Sequence, residues 1–194
     1  MSSIISDNKD NNSVRVFVAL SLSGEVMDVL KTRSIELQQQ LSDFNIRWVP
    51  FENYHITLIF IGNVPETDLD QLQLLIKEAV NGVKPFSVTL GDTTLFPPDN
   101  EKKGVMIASV ENSDALADLQ SRLDARFREA GFDLVVRPYR PHVTLSRLRR
   151  AKVTEEHLIK TGETFTTDVN QVHLYFTEKR DGRVYNGILR TVDL

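Results

Sequence analysis

A chain of 194 residues, 41% hydrophobic and 26% charged, has the balance of a soluble globular protein of one domain or two closely packed lobes. Its net charge of −4 argues against an architectural nucleic-acid binder, which would be strongly basic, and leaves room for a small site of local positive charge. The absence of cysteine excludes disulfides, thiolate metal sites, iron–sulfur clusters and a cysteine nucleophile.

No apolar run reaches the length of a membrane span. Residues 1–13 lack the basic and apolar regions of a signal peptide and read as a polar, flexible leader. Residues 14–194 are expected to form a single bilobal domain of a cytoplasmic protein, monomeric and away from membranes.

In chain order, Val14-Arg15-Val16-Phe17-Val18-Ala19-Leu20 is a β-rich run apolar on both faces, as a central strand requires. Ser23 is placed to cap a helix running to about Leu41, with Val26, Val29, Leu30, Leu37 and Leu41 near helical spacing. Arg47-Trp48-Val49 is extended because Pro50 follows. His55 to Phe60 alternates as a strand that Ile61-Gly62 closes, and Pro65-Glu66 open a second helix through about Val80. Strands are predicted at Phe86–Leu90 and Gly104–Val110, with a loop at Leu95-Phe96-Pro97-Pro98-Asp99-Asn100 between them. Ser113 caps a third helix presenting Leu116, Leu119, Leu123 and Phe127, which Gly131 ends. A strand closes the segment from Tyr139 to Leu145. Two more are predicted near Val169–Thr177 and Arg183–Val192, joined by the turn Arg180-Asp181-Gly182.

The strands and helices fall into two similar halves, each holding one copy of a short pattern: His55-Ile56-Thr57-Leu58 and His142-Val143-Thr144-Leu145. Alternate residues of a strand share a face. Each pattern therefore gives an apolar face to a core and presents one imidazole and one hydroxyl on the other. Phosphoryl transfer without a metal needs a proton acceptor for the attacking water and a proton donor for the leaving oxygen, on opposite sides of phosphorus. Histidine suits both tasks near neutral pH, and the hydroxyls of Thr57 and Thr144 can bond the non-bridging oxygens.

A single histidine in a strand is more often structural than catalytic. Here two of the chain's four histidines repeat one pattern, which favours a paired function. His157 reads as part of a solvated short helix and His173 as a strand-face residue.

From Arg137 to Lys152 the chain carries Arg137, Arg140, Arg147, Arg149, Arg150 and Lys152 and no carboxylate. This is either a solvated basic loop or a phosphate-orienting segment around His142. Arg147, just beyond the strand, is the best candidate for the phosphate. Tyr139 and Phe60 are candidates to stack a base or ribose; the core is the competing assignment and is favoured for Phe60. No close histidine pair for zinc, phosphate-binding Walker loop or dinucleotide fingerprint is present, so no metal or cofactor is expected.

These residues resemble the two-histidine phosphoesterases, and within them the LigT-like RNA 2′,3′-cyclic phosphodiesterases, also known as 2′–5′ RNA ligases. The segments that carry the likeness are Arg15 to Leu20, Arg47-Trp48-Val49-Pro50-Phe51-Glu52-Asn53-Tyr54-His55 continuing to Gly62, and Arg140-Pro141-His142-Val143-Thr144-Leu145-Ser146-Arg147.

The resemblance implies an α+β fold of two pseudo-symmetric lobes, each an antiparallel sheet with helices on its outer face, around a central cleft. It implies that His55 donates a proton to the leaving 3′ oxygen, that His142 accepts one from water, and that Arg147 holds the phosphate. The expected reaction is metal-independent hydrolysis of RNA-terminal or nucleoside 2′,3′-cyclic phosphates to 2′-phosphomonoesters. The alternatives are the reverse ligation of tRNA halves and a non-catalytic RNA- or nucleotide-binding module. Thr177-Glu178 stands where the family often has a Glu-Ser pair.

Overall fold

The computed structural model describes residues 13–97, 104–149, 151–158 and 160–194. The expected leader apart from Ser13, the loop residues Pro98, Asp99 and Asn100, and Arg150 lie outside the described residues.

Strand β1 (Ser13–Leu20) sets the pattern for the whole fold. Val14, Val16, Val18 and Leu20 bury into the main core, while Phe17 and Ala19 pack with Tyr175 on the opposite face. Helix α1 (Gly24–Gln40) begins where the Ser23 hydroxyl accepts the N–H of Val26, the cap expected from the sequence. Next come β2 (Ile46–Trp48), β3 (Ile56–Pro65), α2 (Leu69–Val80), β4 (Phe86–Phe96) and β5 (Val105–Val110). Then follow α3 (Asp114–Glu129), capped in the same way by Ser113, β6 (His142–Leu148), β7 (Phe165–Val169), β8 (Gln171–Arg180) and β9 (Arg183–Asp193). Asp181 (φ 49°) and Gly182 (φ 74°) both take left-handed conformations between β8 and β9, as a tight hairpin turn demands.

The strands form one antiparallel sheet in the order β7-β4-β5-β6-β3-β1-β8-β9, with β2 paired to β6 outside this path. The α+β class expected from the sequence is the one observed. The expected halves are continuous with each other: β3 and β6 meet at one residue pair, Ile56 with Val143. On each side of that junction the chain runs strand, helix and then a strand that starts at or just after the histidine, as β1–α1–β3 with the short β2 between, and as β5–α3–β6, and in both that last strand pairs with the first strand of its unit. The helices lie on the core side, α1 against β7, α2 against β8 and β9, and α3 against β3 and α2. Apolar residues from both halves join in the main core, and a second, smaller cluster forms around Leu37, Leu41, Leu95, Met106, Leu148 and Val153.

Several boundaries differ from the sequence expectation. Leu95 and Phe96 belong to β4 rather than to a loop. The register of β4 on β5 shifts between Leu90 and Thr93, so the strand continues past the apparent break at Gly91-Asp92. Strand β3 runs through Gly62 to Pro65, and a single 3₁₀ turn, Glu66–Asp68, precedes α2. Val169 ends β7, which pairs with β4, and β8 starts at Gln171.

Candidate active site

The pair that joins the two halves also aligns the two patterns. With Ile56 opposite Val143 in antiparallel register, His55 faces Thr144 and Thr57 faces His142. The two histidines become diagonal neighbours on one face, with Cβ atoms somewhat less than about 7–8 Å apart by the geometry of such pairs. The register thus puts two imidazoles and two hydroxyls on one face, groups able to hydrogen-bond an anion.

Both rings are held in the same way. Nδ1–H of His55 donates to the carbonyl of Asn53 at 2.8 Å, and Nδ1–H of His142 donates to the carbonyl of Arg140 at 2.8 Å. A carbonyl only accepts, so the proton of each neutral ring is on Nδ1 and the lone pair is on Nε2. Nε2 of His55 lies 3.1 Å from the Thr57 hydroxyl, which donates to it.

Aromatic rings support each imidazole. His55 packs against Phe17, with ring centres 4.7 Å apart, and stacks on Tyr175 at 5.6 Å. His142 stacks on Phe96 at 5.4 Å, and the guanidinium of Arg140 lies 5.8 Å from the same ring. Burial pushes the pKa of His55 down to about 4, the Asn53 carbonyl opposing this and the like charge of His142 adding to it. His55 is therefore neutral in the empty site at neutral pH. Burial also pushes the Tyr175 phenol up to about 12.

The strand register decides which other side chains share this face. On β5, Val105, Ile107 and Ser109 alternate regularly, and their partners on β6 are Arg147, Thr144 and His142. One extra β6 residue between Thr144 and Ser146 re-phases the alternation, so exposed Arg147 returns to the face of His142. Arg47, its direct partner on β2, lies on the same face and donates to the Gly182 carbonyl at 3.4 Å.

The same device operates in β3. Ala19 and Phe17 of β1 pair with Thr57 and Phe60, with one extra residue between Thr57 and Ile59. Phe60 is thereby turned out of the core, 58% exposed, with its ring 5.9 Å from that of Phe17. The core assignment favoured from sequence is corrected: the apolar run hid the bulge.

Tyr139 is half-buried against the main core, and its hydroxyl donates to the Thr57 carbonyl at 3.3 Å. Burial raises its phenol pKa. This geometry supports the strand that carries Thr57 rather than a stacking surface. His173 is buried between the hydroxyls of Ser21 and Thr191, edge-on to Tyr175, and props that ring from behind. His157 lies in a short, partly exposed 3₁₀ turn, where it closes a capping box with Thr154 and packs edge-on against Phe44.

Sequence reasoning passed over Asn53. Its side chain donates to the Val184 carbonyl at 2.7 Å and accepts the Asn186 N–H at 2.9 Å, while its own carbonyl orients His55. Phe17, Tyr175, Phe96 and Arg47 were passed over too. The signal available for Phe17 was the alternation of β1, which places it on the face opposite the core valines.

Among the described residues no group of three or more His, Cys, Asp or Glu side chains stands close enough together to hold a metal ion. No helix among them is long and apolar enough to cross a membrane. A cavity of about 530 Å³ between α1, β4 and β7 is lined by Val29, Arg33, Leu37, Thr93 and Phe165 and includes neither histidine.

Known proteins are similar to this chain. A curated RNA 2′,3′-cyclic phosphodiesterase of Methanothermobacter thermautotrophicus is 28% identical over 83% of this chain and 85% of its own length. One from Thermotoga maritima is 29% identical over 76% of each chain. The crystal structure of E. coli LigT with 3′-AMP superposes with a TM-score of 0.72 at 23% identity, covering 94% of this chain and 98% of LigT, which shows a common fold. The profile of the 2′-5′ RNA ligase superfamily matches residues 30–181, a span that contains both histidine patterns and the junction aligning them. The chain is a member of the 2′-5′ RNA ligase superfamily.

Proposed function

We propose that this protein is an RNA 2′,3′-cyclic phosphodiesterase, one domain from residue 14 to residue 194, in which His55 and His142 form an acid–base pair that works without a metal. The observation that carries this reading is the pairing of Ile56 with Val143, which makes the two histidines, each held through Nδ1 by a backbone carbonyl, diagonal neighbours on one face.

The anionic cyclic phosphate enters between the rings, with its non-bridging oxygens toward the hydroxyls of Thr57 and Thr144 and the guanidinium of Arg147. A negative charge at this distance offsets the burial of His55 and raises its proton affinity, so His55 takes up a proton as the substrate binds. Nε2 of His142 removes a proton from water, and the water oxygen forms a bond to phosphorus opposite the 3′ oxygen. The bond from phosphorus to the 3′ oxygen breaks, and Nε2–H of His55 gives its proton to that oxygen. The product is a 2′-phosphomonoester, and proton exchange with solvent resets both rings. Phe60, exposed beside His55, offers a face for the terminal base.

The test is incubation with a nucleoside 2′,3′-cyclic monophosphate in excess EDTA, followed by phosphorus NMR. A 2′-monophosphate formed by the native protein and absent with H142A is the expected result. A 3′-monophosphate, or activity that EDTA abolishes, overturns the mechanism. Failure on this substrate and on a cyclic-phosphate-ended oligonucleotide overturns the assignment as an enzyme.

A further inference from the structure

The face of the sheet that carries His55 is ordered in rows across its strands. Cross-strand partners read directly as Thr57, Ala19, His173 and Thr191 in one row. Phe60, Phe17, Tyr175 and Ile188 form the next, and Asn63, Arg15, Thr177 and Asn186 the third. The first two rows hold or flank His55. The third has no role in the chemistry proposed above.

That third row has a distinct character. Arg15 lies on β1, flanked by paired strands on both sides, where exposed charge is uncommon. It alternates with Phe17 and Ala19 and so projects to the His55 face, away from the core valines. It is exposed, and among the described residues no carboxylate pairs with it. Its cross-strand partners are an amide and a hydroxyl, Asn63 and Thr177, and the Thr177 hydroxyl donates to Asn186 at 2.9 Å. An exposed guanidinium flanked by neutral polar groups on a sheet face is a place for an anion.

The neighbouring row is apolar with exposed ends, Phe60 at 58% and Ile188 at 49%. Adjacent rows are two residues apart along β1, about 6.8 Å. A sheet face on which an aromatic row adjoins a cation is suited to single-stranded nucleic acid, stacking a base while the cation takes a phosphate.

We propose that the row through Arg15 is a second-nucleotide subsite, in which Arg15 binds the phosphodiester immediately 5′ of the nucleotide that carries the cyclic phosphate. This rests on the phosphodiesterase reading and extends it: the strand leaves the cleft across β1, and the substrate recognised is an RNA end of at least two nucleotides rather than a free nucleoside cyclic phosphate.

Rates with a nucleoside 2′,3′-cyclic monophosphate and with a dinucleotide ending in the same cyclic phosphate test this, using the native protein, R15Q and R15K. The native protein is expected to favour the dinucleotide in kcat/KM by about tenfold or more, the worth of one charge-assisted hydrogen bond. R15Q should bring the ratio of the two substrates close to one, mainly through KM for the dinucleotide, and R15K should restore part of it. A native ratio near one, or an equal loss on both substrates in R15Q, overturns the subsite and leaves the phosphodiesterase reading standing. Turnover of neither substrate by the native protein overturns both.

Discussion

Phe60 and Arg147 hold the same place in the two halves of the molecule. Each stands five residues beyond its histidine, each follows a one-residue bulge, and each is exposed on the face of its imidazole. The repeat thus keeps the histidines and threonines alike and differs at this position, aromatic on the His55 side and cationic on the His142 side. F60A should raise KM for a nucleotide substrate several-fold with a smaller effect on kcat, since stacking a base is worth about 1–3 kcal/mol. R147A should lower kcat/KM by about 10- to 100-fold, and R147K should recover only part of this, because an ammonium lacks the guanidinium fork. Steady-state kinetics on one substrate checks all three.

The pKa of His55 predicts a pH dependence of stability. Above about 6.5, the ordinary histidine value, folded and unfolded chains both hold His55 neutral. Between there and about 4 the unfolded chain binds a proton that the folded chain refuses, so stability falls as pH falls across that window. The loss from this residue is on the order of 3 kcal/mol. Urea unfolding at pH 7 and pH 4.5 should show a smaller drop in H55Q than in the native protein. In NMR titrations of H142Q, the His55 midpoint should rise from about 4, since the neighbouring charge that lowers it is gone.

Asn53 ties the β8–β9 hairpin to the site. N53A would leave the half-buried Val184 carbonyl and Asn186 N–H without their partner and loosen the backbone that orients His55. The expected loss is about 2–4 kcal/mol of stability, from two unmet groups, together with a fall in kcat. Thermal unfolding and kinetics on the same preparation check it. A fall in Tm with kcat intact would separate the hairpin clamp from the orientation of His55.

Gly187 lies against the ring of Phe176, and a Cβ there would overlap ring carbons. G187A should cost about 1–3 kcal/mol by overpacking. The double variant G187A/F176L, measured by denaturant unfolding, should recover part of the loss.

The features that sequence made legible are those with local causes. Ser23 and Ser113 announce their helices because a hydroxyl one residue ahead of the first turn captures a backbone N–H. His55 and His142 stand out because the pattern repeats. Phe60 misled because an apolar residue in an apolar run reads as core, and only the register against β1 reveals the extra residue that turns it outward. Strand β7 escaped because Phe165-Thr166-Thr167-Asp168-Val169 has little apolar content of its own and is stabilised by its partner β4. Asn53 escaped for a similar reason: the groups it satisfies lie more than 130 residues away in sequence.

β1 lies between β3 and β8, so its two neighbours are synthesised at widely separated times. When the ribosome has delivered His55 and β3, the Tyr175 half of the aromatic seat does not yet exist, and one flank of β1 is still an open edge. The nascent chain must carry that unpaired apolar strand through more than a hundred residues of synthesis before residues 171–193 seal it. Fragments released before that point would be prone to pair with one another edge to edge. The order of translation therefore makes the last hairpin the step that both protects the chain and completes the seat of the first histidine.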